Sequence, residues 1–280
     1  GTNGDPTVKL GYVCTNYNNS HHTVEAVRSL VLSAGAGHEL HVVVVDNRSG
    51  PDSVATLREL AAATPCVDLL LNDENVGYFK GLNGGIRRLR ERHPDVQHLV
   101  IGNNDLLFPP GFCDAVQQQL ALFEQHPVVS PDILTLDGEH QNPHVIHTIS
   151  RKRELVYDLY YASYALALAI RWAARITRTF SDRGDEQQHG VAQPIYQGHG
   201  SCYLIGPQFF RHFEELWAPT FLMGEEYFLS KQLSDKGMKT FYTPTIQLTH
   251  CCHGSLAALP SRKAWEFARD AHKIYRQHVR

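Results

Sequence analysis

Five polar clusters in this chain carry residue types that do chemistry. Asp46-Asn47-Arg48-Ser49 follows the apolar run His41–Val45. A carboxylate just past a buried strand is costly without a partner. A nucleotide ribose or base edge would supply one; so would a helix N-terminus, although Ser49 or Asp52 suits that cap better. Asn72–Gly85 holds four glycines in nine residues, Gly77, Gly81, Gly84 and Gly85, and these permit close backbone approach to a ligand. Asn75 and Asn83 add amides there, and the helix that follows offers its N-terminus to negative charge. The spacing is neither a P-loop nor a dinucleotide fingerprint. Asn103-Asn104-Asp105 offers one carboxylate, which either closes an Asx-turn or holds a divalent cation against diphosphate oxygens. Gly224-Glu225-Glu226 either complements a helix dipole or supplies a general base for a hydroxyl. His250-Cys251-Cys252-His253 lacks the second separated pair that a zinc site draws on. A single His completing a Mn2+ or Mg2+ site is more economical.

The elements that must position these clusters alternate. Leu10–Thr15, His41–Val45, Val67–Leu71 and His98–Ile101 read as strands. Thr23–Ala34, Ser53–Ala63, Lys80–Arg92 and Gly111–Gln125 read as helices from their apolar spacing. Strand–helix alternation with short connections predicts a mostly parallel α/β sheet flanked by helices. In such sheets ligands bind beyond the carboxyl ends of the strands. Four polar stretches fall at those ends: Asn16–Ser20, Asp46–Ser49, Asn72–Gly77 and Asn103–Asp105.

After Pro131 the alternation weakens. Leu155–Arg178 reads as one long helix with an apolar stripe at Leu155, Leu159, Leu166 and Ile170. Arg171, Arg175 and Arg178 share one of its faces. This face either meets an anionic acceptor or an acidic membrane surface, or is simply solvated. The helix is also a candidate homodimer contact. Residues 151–178 hold six Lys/Arg and two Asp/Glu, a net of +4, so the rest of the −3 chain carries −7. Ser181–Gln193 is polar and reads as a mobile loop.

The chain's 280 residues suit one α/β domain with an added helical segment. The net charge of −3 leaves no basic field for a nucleic acid. Six Cys without a CxxC pair read as reduced thiols of a cytosolic protein. There is neither a signal-peptide pattern nor a run of about 18 apolar residues. The opening Gly1-Thr2-Asn3-Gly4 lacks Met, and the chain reads as one domain of something longer.

Taken in order, DNxS, NxGxxxGxN, the DxD-like NND, GEE and a late His resemble the GT-A glycosyltransferases of family 2, most nearly the rhamnosyl- and galactofuranosyl-transferase-like branch. In this chain the pieces are Asp46–Ser49, Asn75–Asn83, Asn103–Asp105, Gly224–Glu226 and His250. The resemblance spans about residues 8–255. It implies one GT-A (Rossmann-like) domain: a nucleotide-sugar half at 8–131, an acceptor and catalytic half at 132–255 with a helical insertion at 151–193, and a C-terminal helix in 256–280. It implies transfer of a sugar from a UDP- or dTDP-sugar to a hydroxyl of a growing or lipid-linked glycan, in the setting of a bacterial surface polysaccharide.

The residue roles it implies are these. Thr15, Asn16 and Tyr17 line the nucleotide pocket, and Asp46 contacts the ribose region. Asn75, Gly77, Lys80, Asn83 and Asn104 sit near the donor diphosphate and sugar. Asp105 and His250 ligate Mn2+ or Mg2+, with Asn103 in place of the first DxD carboxylate. Glu226 is the base of an inverting reaction, supported by Glu225. Trp217, Tyr227 and His253 are acceptor contacts. Two departures matter: Glu stands at 226 where the family has Asp, and Asn103 makes the metal site less anionic. The expected place is the cytoplasm, at the inner membrane face if the basic helix docks there.

Rival readings are weaker. A non-catalytic nucleotide-sugar-binding module needs no Glu225–Glu226 pair. A sugar nucleotidylyltransferase wants a Gly-rich basic loop at Thr15–Ser20, which has neither Gly nor Arg. A zinc hydrolase on His250 and His253 would copurify with zinc.

Overall fold

A computed structural model describes residues 7–148, 151–177, 184–251 and 261–278. The first half is built from β1 (Lys9–Asn16), α1 (Ser20–Ala34), β2 (Glu39–Asp46), α2 (Pro51–Ala63), β3 (Val67–Leu71), α3 (Tyr78–Arg92) and β4 (His98–Gly102). These four strands lie parallel in the order β3-β2-β1-β4. The register pairs Asn16 with Asp46 and Cys14 with Gly102, so the loops after β1, β2 and β4 emerge side by side.

Strand side chains alternate between two cores, as a period of two requires. Leu10, Tyr12, Cys14, Val42 and Val44 face α1 and α2 through Val27, Leu30, Leu57 and Leu60. Val13, Val43 and Val45 face α3 through Phe79, Leu82, Ile86 and Leu89. Strands buried on both faces therefore read as continuous apolar runs. Gly85 lets α3 lie close against this sheet. A Cβ there would sit 2.3 Å from Val13 Cγ1 and 2.8 Å from Val45 Cγ2, and overpacking of that kind costs about 1–3 kcal/mol.

The second half turns the sheet mixed. It adds β5 (Leu106–Leu107), α4 (Phe112–Gln118), α5 (Leu120–Gln125), β6 (Val128–Thr135), α6 (Arg151–Ala162), α7 (Tyr164–Thr177), β7 (Gln193–Ile195), β8 (Cys202–Ile205), α8 (Pro207–His212), α9 (Glu225–Ser234), β9 (Thr240–His250) and α10 (Ser261–His278). β8 joins antiparallel to both β4 and β6, and β6 pairs parallel with β9. β5 and β7 pair antiparallel with β9. The sheet of the described residues is the Rossmann-like GT-A sheet expected from the alternation.

Three expectations are corrected. The long helix at 155–178 is two helices, broken at Ser163. The Ser163 hydroxyl accepts the Leu166 N–H at 3.1 Å and so caps a fresh helix start. The helix at 111–125 divides at Gln119, whose backbone leaves helical geometry (φ −112°, ψ 19°). Within the loop expected at 181–193, Gly184–Gln188 forms a 3-10 turn and Gln193 begins β7. Residues 178–183 lie outside the described residues, as does His253. No helix among the described residues is long and apolar enough to cross a membrane.

Candidate active site

A cleft of about 520 Å³ opens at the carboxyl ends of β1, β2 and β4. Beneath it lies a layer of buried polar side chains that satisfy one another. Asn16 is 1% exposed and Asp46 likewise 1%. Asp46 Oδ1 accepts Asn16 Nδ2 at 2.9 Å and Ser49 Oγ at 2.6 Å, and its Oδ2 accepts the Ser49 N–H at 2.9 Å. The partner that a buried carboxylate requires is thus internal, at the turn into α2. Asn16 Oδ1 accepts Thr23 Oγ1 at 2.8 Å. Asn104 Nδ2 reaches Thr23 Oγ1 at 2.9 Å and Asn19 Oδ1 at 2.8 Å. Because neighbouring residues of a strand point opposite ways, Thr15 and Tyr17 line the cleft while Asn16 points down.

The glycine-rich stretch supplies one wall. Gly77 has φ +91° and its N–H donates to Asn75 Oδ1 at 3.0 Å. A Cβ on Gly77 would lie 2.0 Å from the Phe221 carbonyl oxygen, a backbone atom that cannot yield cheaply. Tyr78 N donates to that same oxygen at 3.2 Å, and Asn47 Nδ2 holds the Gly77 carbonyl at 3.0 Å. Glycine is required here by both conformation and space. Asn83 does not reach the cleft: its amide clamps the Leu216 backbone, 2.8 Å at each end. Lys80, Asn83 and Trp217 instead line a separate shallow groove. Tyr227 packs its ring at a tilt against Tyr275 of α10, centroids 4.9 Å apart, and is not among the cleft-lining residues.

Asp105 lines the cleft floor, 2% exposed. Its Oδ2 lies 3.2 Å from Nε2 of His250, the last residue of β9. Leu106 pairs with His250 across β5 and β9, and this register sets the two side chains together. Asn103 Nδ2 is 3.4 Å from the same ring nitrogen. Burial by itself would raise the Asp105 carboxyl; the hydrogen bond and charge of His250 outweigh it and hold the group below its ordinary range. Among the described residues no group of three or more His, Cys, Asp or Glu forms a closed metal cluster. One carboxylate beside one imidazole nonetheless suits a hard cation that draws its remaining oxygens from a diphosphate.

Opposite stands the acidic pair. Met223 (φ 72°) and Gly224 (φ 79°) adopt consecutive left-handed conformations that turn the chain into α9. A non-glycine residue there is strained, and such strain gathers at functional sites. Glu225 is buried, and its Oε1 has no hydrogen-bond partner among the described residues. Burial, together with the charge of Glu226, raises its pKa to about 7. Glu226 Oε2 accepts the Gly200 N–H at 3.1 Å and lies 3.2 Å from His144 Nε2. His199, whose pKa burial pushes down to about 4, faces the same space and is neutral at neutral pH. Phe267 of α10 and Phe221 complete the apolar rim, ring centroids 5.8 Å apart.

Thr15, Tyr17, Asn75, Gly77, Asn104, Asp105, Glu225 and Glu226 therefore meet in one cleft. His250 adjoins it through Asp105. Asn16 and Asp46 support it from below. Motif reading gave no role to Asn19 or Tyr78, although both lie inside stretches it singled out, and it did not reach His144, His199–Ser201, Phe221 or Phe267, which come from segments without a pattern of their own.

Residues 13–170 match the model of glycosyl transferase family 2. The chain belongs to that family and has its GT-A fold. No curated relative matches it. Two solved structures resemble it. One is the mannosyltransferase PcManGT from Pyrobaculum calidifontis in complex with GDP-Man and Mn2+, at 16% identity and TM-score 0.54, over 99% of this chain and 63% of that one. The other is S. aureus TarS 1-349, at 11% identity and TM-score 0.51, over 87% and 60%. The chain thus spans less than two thirds of either, and the likeness is one of fold.

The burial of Glu225 has a consequence for stability. Its folded pKa of about 7 lies above the ordinary 4.5, so its protonated form favours folding. That contribution is complete below pH 4.5 and is lost as pH rises through 7, on the order of 3 kcal/mol at most. Glu225→Gln removes the titration. In metal-free calorimetry the variant's Tm falls less between pH 5 and pH 8 than the wild type's; parallel curves would contradict the buried, protonated carboxyl.

Proposed function

We propose that this chain transfers a sugar from a UDP- or dTDP-sugar to a hydroxyl of a growing or lipid-linked glycan, with inversion at the sugar carbon. The observation that carries the reading is the meeting, in one cleft, of Asp105, backed by His250, with the Glu225–Glu226 pair. The strand-end loops with Thr15, Tyr17, Asn75 and Gly77 form the donor's side, and the acid pair and the aromatic rim form the acceptor's. Asp105 and His250 would hold Mn2+ or Mg2+. The cation, when bound, neutralises charge on the departing nucleoside diphosphate.

The residues of the chain divide the remaining work. Glu226 takes the proton from the acceptor hydroxyl as its oxygen bonds to the sugar carbon. On the opposite face the bond to the diphosphate oxygen breaks, and the nucleoside diphosphate leaves with that electron pair. Positive charge builds on the ring in such a transfer, as in glycoside hydrolysis, and Glu225, once ionised, stabilises it. Asn75 and Gly77 offer an amide and a bare backbone for close approach to the donor. A mannosyltransferase of this fold was solved with GDP-Man and Mn2+, which supports a divalent ion and makes a guanine nucleotide the proper comparison. Rhamnose or galactofuranose as the donor sugar, and a surface polysaccharide as the product, follow from the motif resemblance alone. A non-catalytic binding module would leave the acid pair without a role.

The acceptor side suggests the setting. Helices α6, α7 and α10 carry ten Lys and Arg against four Asp and Glu, +6 in all, which leaves −9 on the rest of the −3 chain. Leu155 (61% exposed), Leu159 (48%) and Trp172 (68%) lie bare on α6 and α7. Basic, amphipathic helices of this kind bind anionic bilayers. We assign peripheral docking beside a lipid-borne acceptor to this surface, in preference to homodimer contact, because two +6 surfaces repel.

Two measurements test these readings. Calorimetric titration of UDP, dTDP and GDP with and without Mn2+ should give micromolar, metal-dependent binding of UDP or dTDP that Asp105→Ala abolishes. Binding of none, or of GDP alone, would overturn the donor assignment. Flotation with vesicles of phosphatidylcholine containing about one third phosphatidylglycerol should carry the wild type, and Leu159→Glu/Trp172→Glu should stay behind. Wild type that ignores the vesicles, or dimerises through this face, ends the membrane reading.

A further inference from the structure

Gln141-Asn142-Pro143-His144 belongs to none of the motifs read from the sequence. Its backbone is pinned on two sides. Gln141 N donates to Ile133 O of β6 at 2.8 Å, and Val145 and Gln197 exchange reciprocal bonds of 2.9 Å. Asn142 is fully buried; its Nδ2 donates to Pro131 O at 2.8 Å, and its Oδ1 accepts the His199 N–H at 2.9 Å. Main chain and amide together fix this segment between β6 and the loop that leads to β8.

The side chains on either side of Asn142 reach different halves of the cleft. Gln141 Oε1 lies 2.9 Å from His250 Nδ1. His144 Nε2 lies 3.2 Å from Glu226 Oε2, the oxygen that also accepts Gly200 N–H. The His199 ring stands between the two branches, 5.5 Å from the His144 ring and 5.7 Å from that of His250.

Each contact fixes a chemical property as well as a position. An amide oxygen only accepts, so Gln141 requires the proton of His250 on Nδ1. Nε2 is then the ring nitrogen turned to Asp105 Oδ2, and it is the one that would ligate a cation bound between the two. Gln141 does this without adding charge. On the other branch, the Gly200 N–H and His144 Nε2 both meet Glu226 Oε2 and set the rotamer of that carboxylate. Glu225, His199, Tyr78 and Tyr203 also stand close enough to feel the Glu226 charge.

We propose that Gln141 and His144 are positioning residues for the transfer: Gln141 orients the imidazole of His250, His144 orients the carboxylate of Glu226, and Asn142 holds the two at a set spacing. One short segment thereby registers the cation-binding side of the cleft against its base. The inference rests on the sugar-transfer reading above.

The test uses the whole chain, with release of nucleoside diphosphate from the UDP- or dTDP-sugar it accepts, and Glu226→Gln as control. His144→Phe should lower kcat about 10- to 100-fold with the donor KM nearly unchanged. Its acid limb in the kcat–pH profile should move to higher pH, because a base that loses a donor holds its proton longer. His144→Gln, which restores an N–H at similar reach, should recover most of both. Gln141→Leu should weaken Mn2+ binding about 10- to 100-fold, read by the electron spin resonance of free Mn2+, and leave the acid limb in place. A wild-type kcat and pH limb in His144→Phe, or wild-type Mn2+ affinity in Gln141→Leu, against an inactive Glu226→Gln, would overturn this inference alone. Full turnover in Glu226→Gln would instead overturn the transfer reading, and this inference with it.

Discussion

The carboxyl ends of parallel strands bury polar side chains, and those side chains must satisfy one another before they can support anything above them. Asp46 is the pivot. Asn16, the Ser49 hydroxyl and the Ser49 N–H all donate to its carboxylate. Through Asn16 the network runs on to Thr23 and Asn104. Breaking such a buried charged group away from its donors costs about 3–5 kcal/mol. The price would fall on three loops together, because the β1–β2 and β1–β4 registers tie their starts to adjacent strand ends. Thr15, Tyr17 and Asn47 are presented upward because their chain neighbours are committed below.

The far wall is held by a different device. Segments distant in sequence meet there: the Gly77 backbone packs against Phe221, the Tyr78 hydroxyl donates to the Gly200 carbonyl, and the Asn83 amide clamps Leu216. These contacts need no charge: they use neutral polar side chains on backbone groups, glycine at Gly77 and a strained turn at Met223–Gly224. The wall that carries Glu225 and Glu226 is thus tied to the donor side at three points. On its outer side it is braced by α10, whose Ala271 lies within 3.1 Å of a Cβ placed on Gly224.

Much of the fold was legible because buried parallel strands have a plain signature. The apolar runs at β1, β2 and β4 and the spacing of α1 and α3 define the sheet and its two cores. The breaks were harder. Ser163 interrupts a stripe that keeps its period on both sides, and only the hydroxyl bond to Leu166 marks the new start. At the cleft, residues that carry a charge or a glycine stood out. Asp46 and Asn83 show the limit of that method. Both are polar and both are buried, yet Asp46 serves a turn and Asn83 clamps the Leu216 backbone. His144 and His199 had no signal, since their meaning arises only when β6, β8 and α9 come together.

The account stands on Asp105 and His250 forming the cation-binding side of the cleft, across from Glu226. Crystals grown with Mn2+ and UDP, measured at the manganese absorption edge, test this most directly. The predicted result is one anomalous peak at coordinating distance, about 2 Å, from Asp105 and His250, with diphosphate oxygens completing the shell. A peak elsewhere, or UDP bound in the cleft with no peak at that pair, would contradict it.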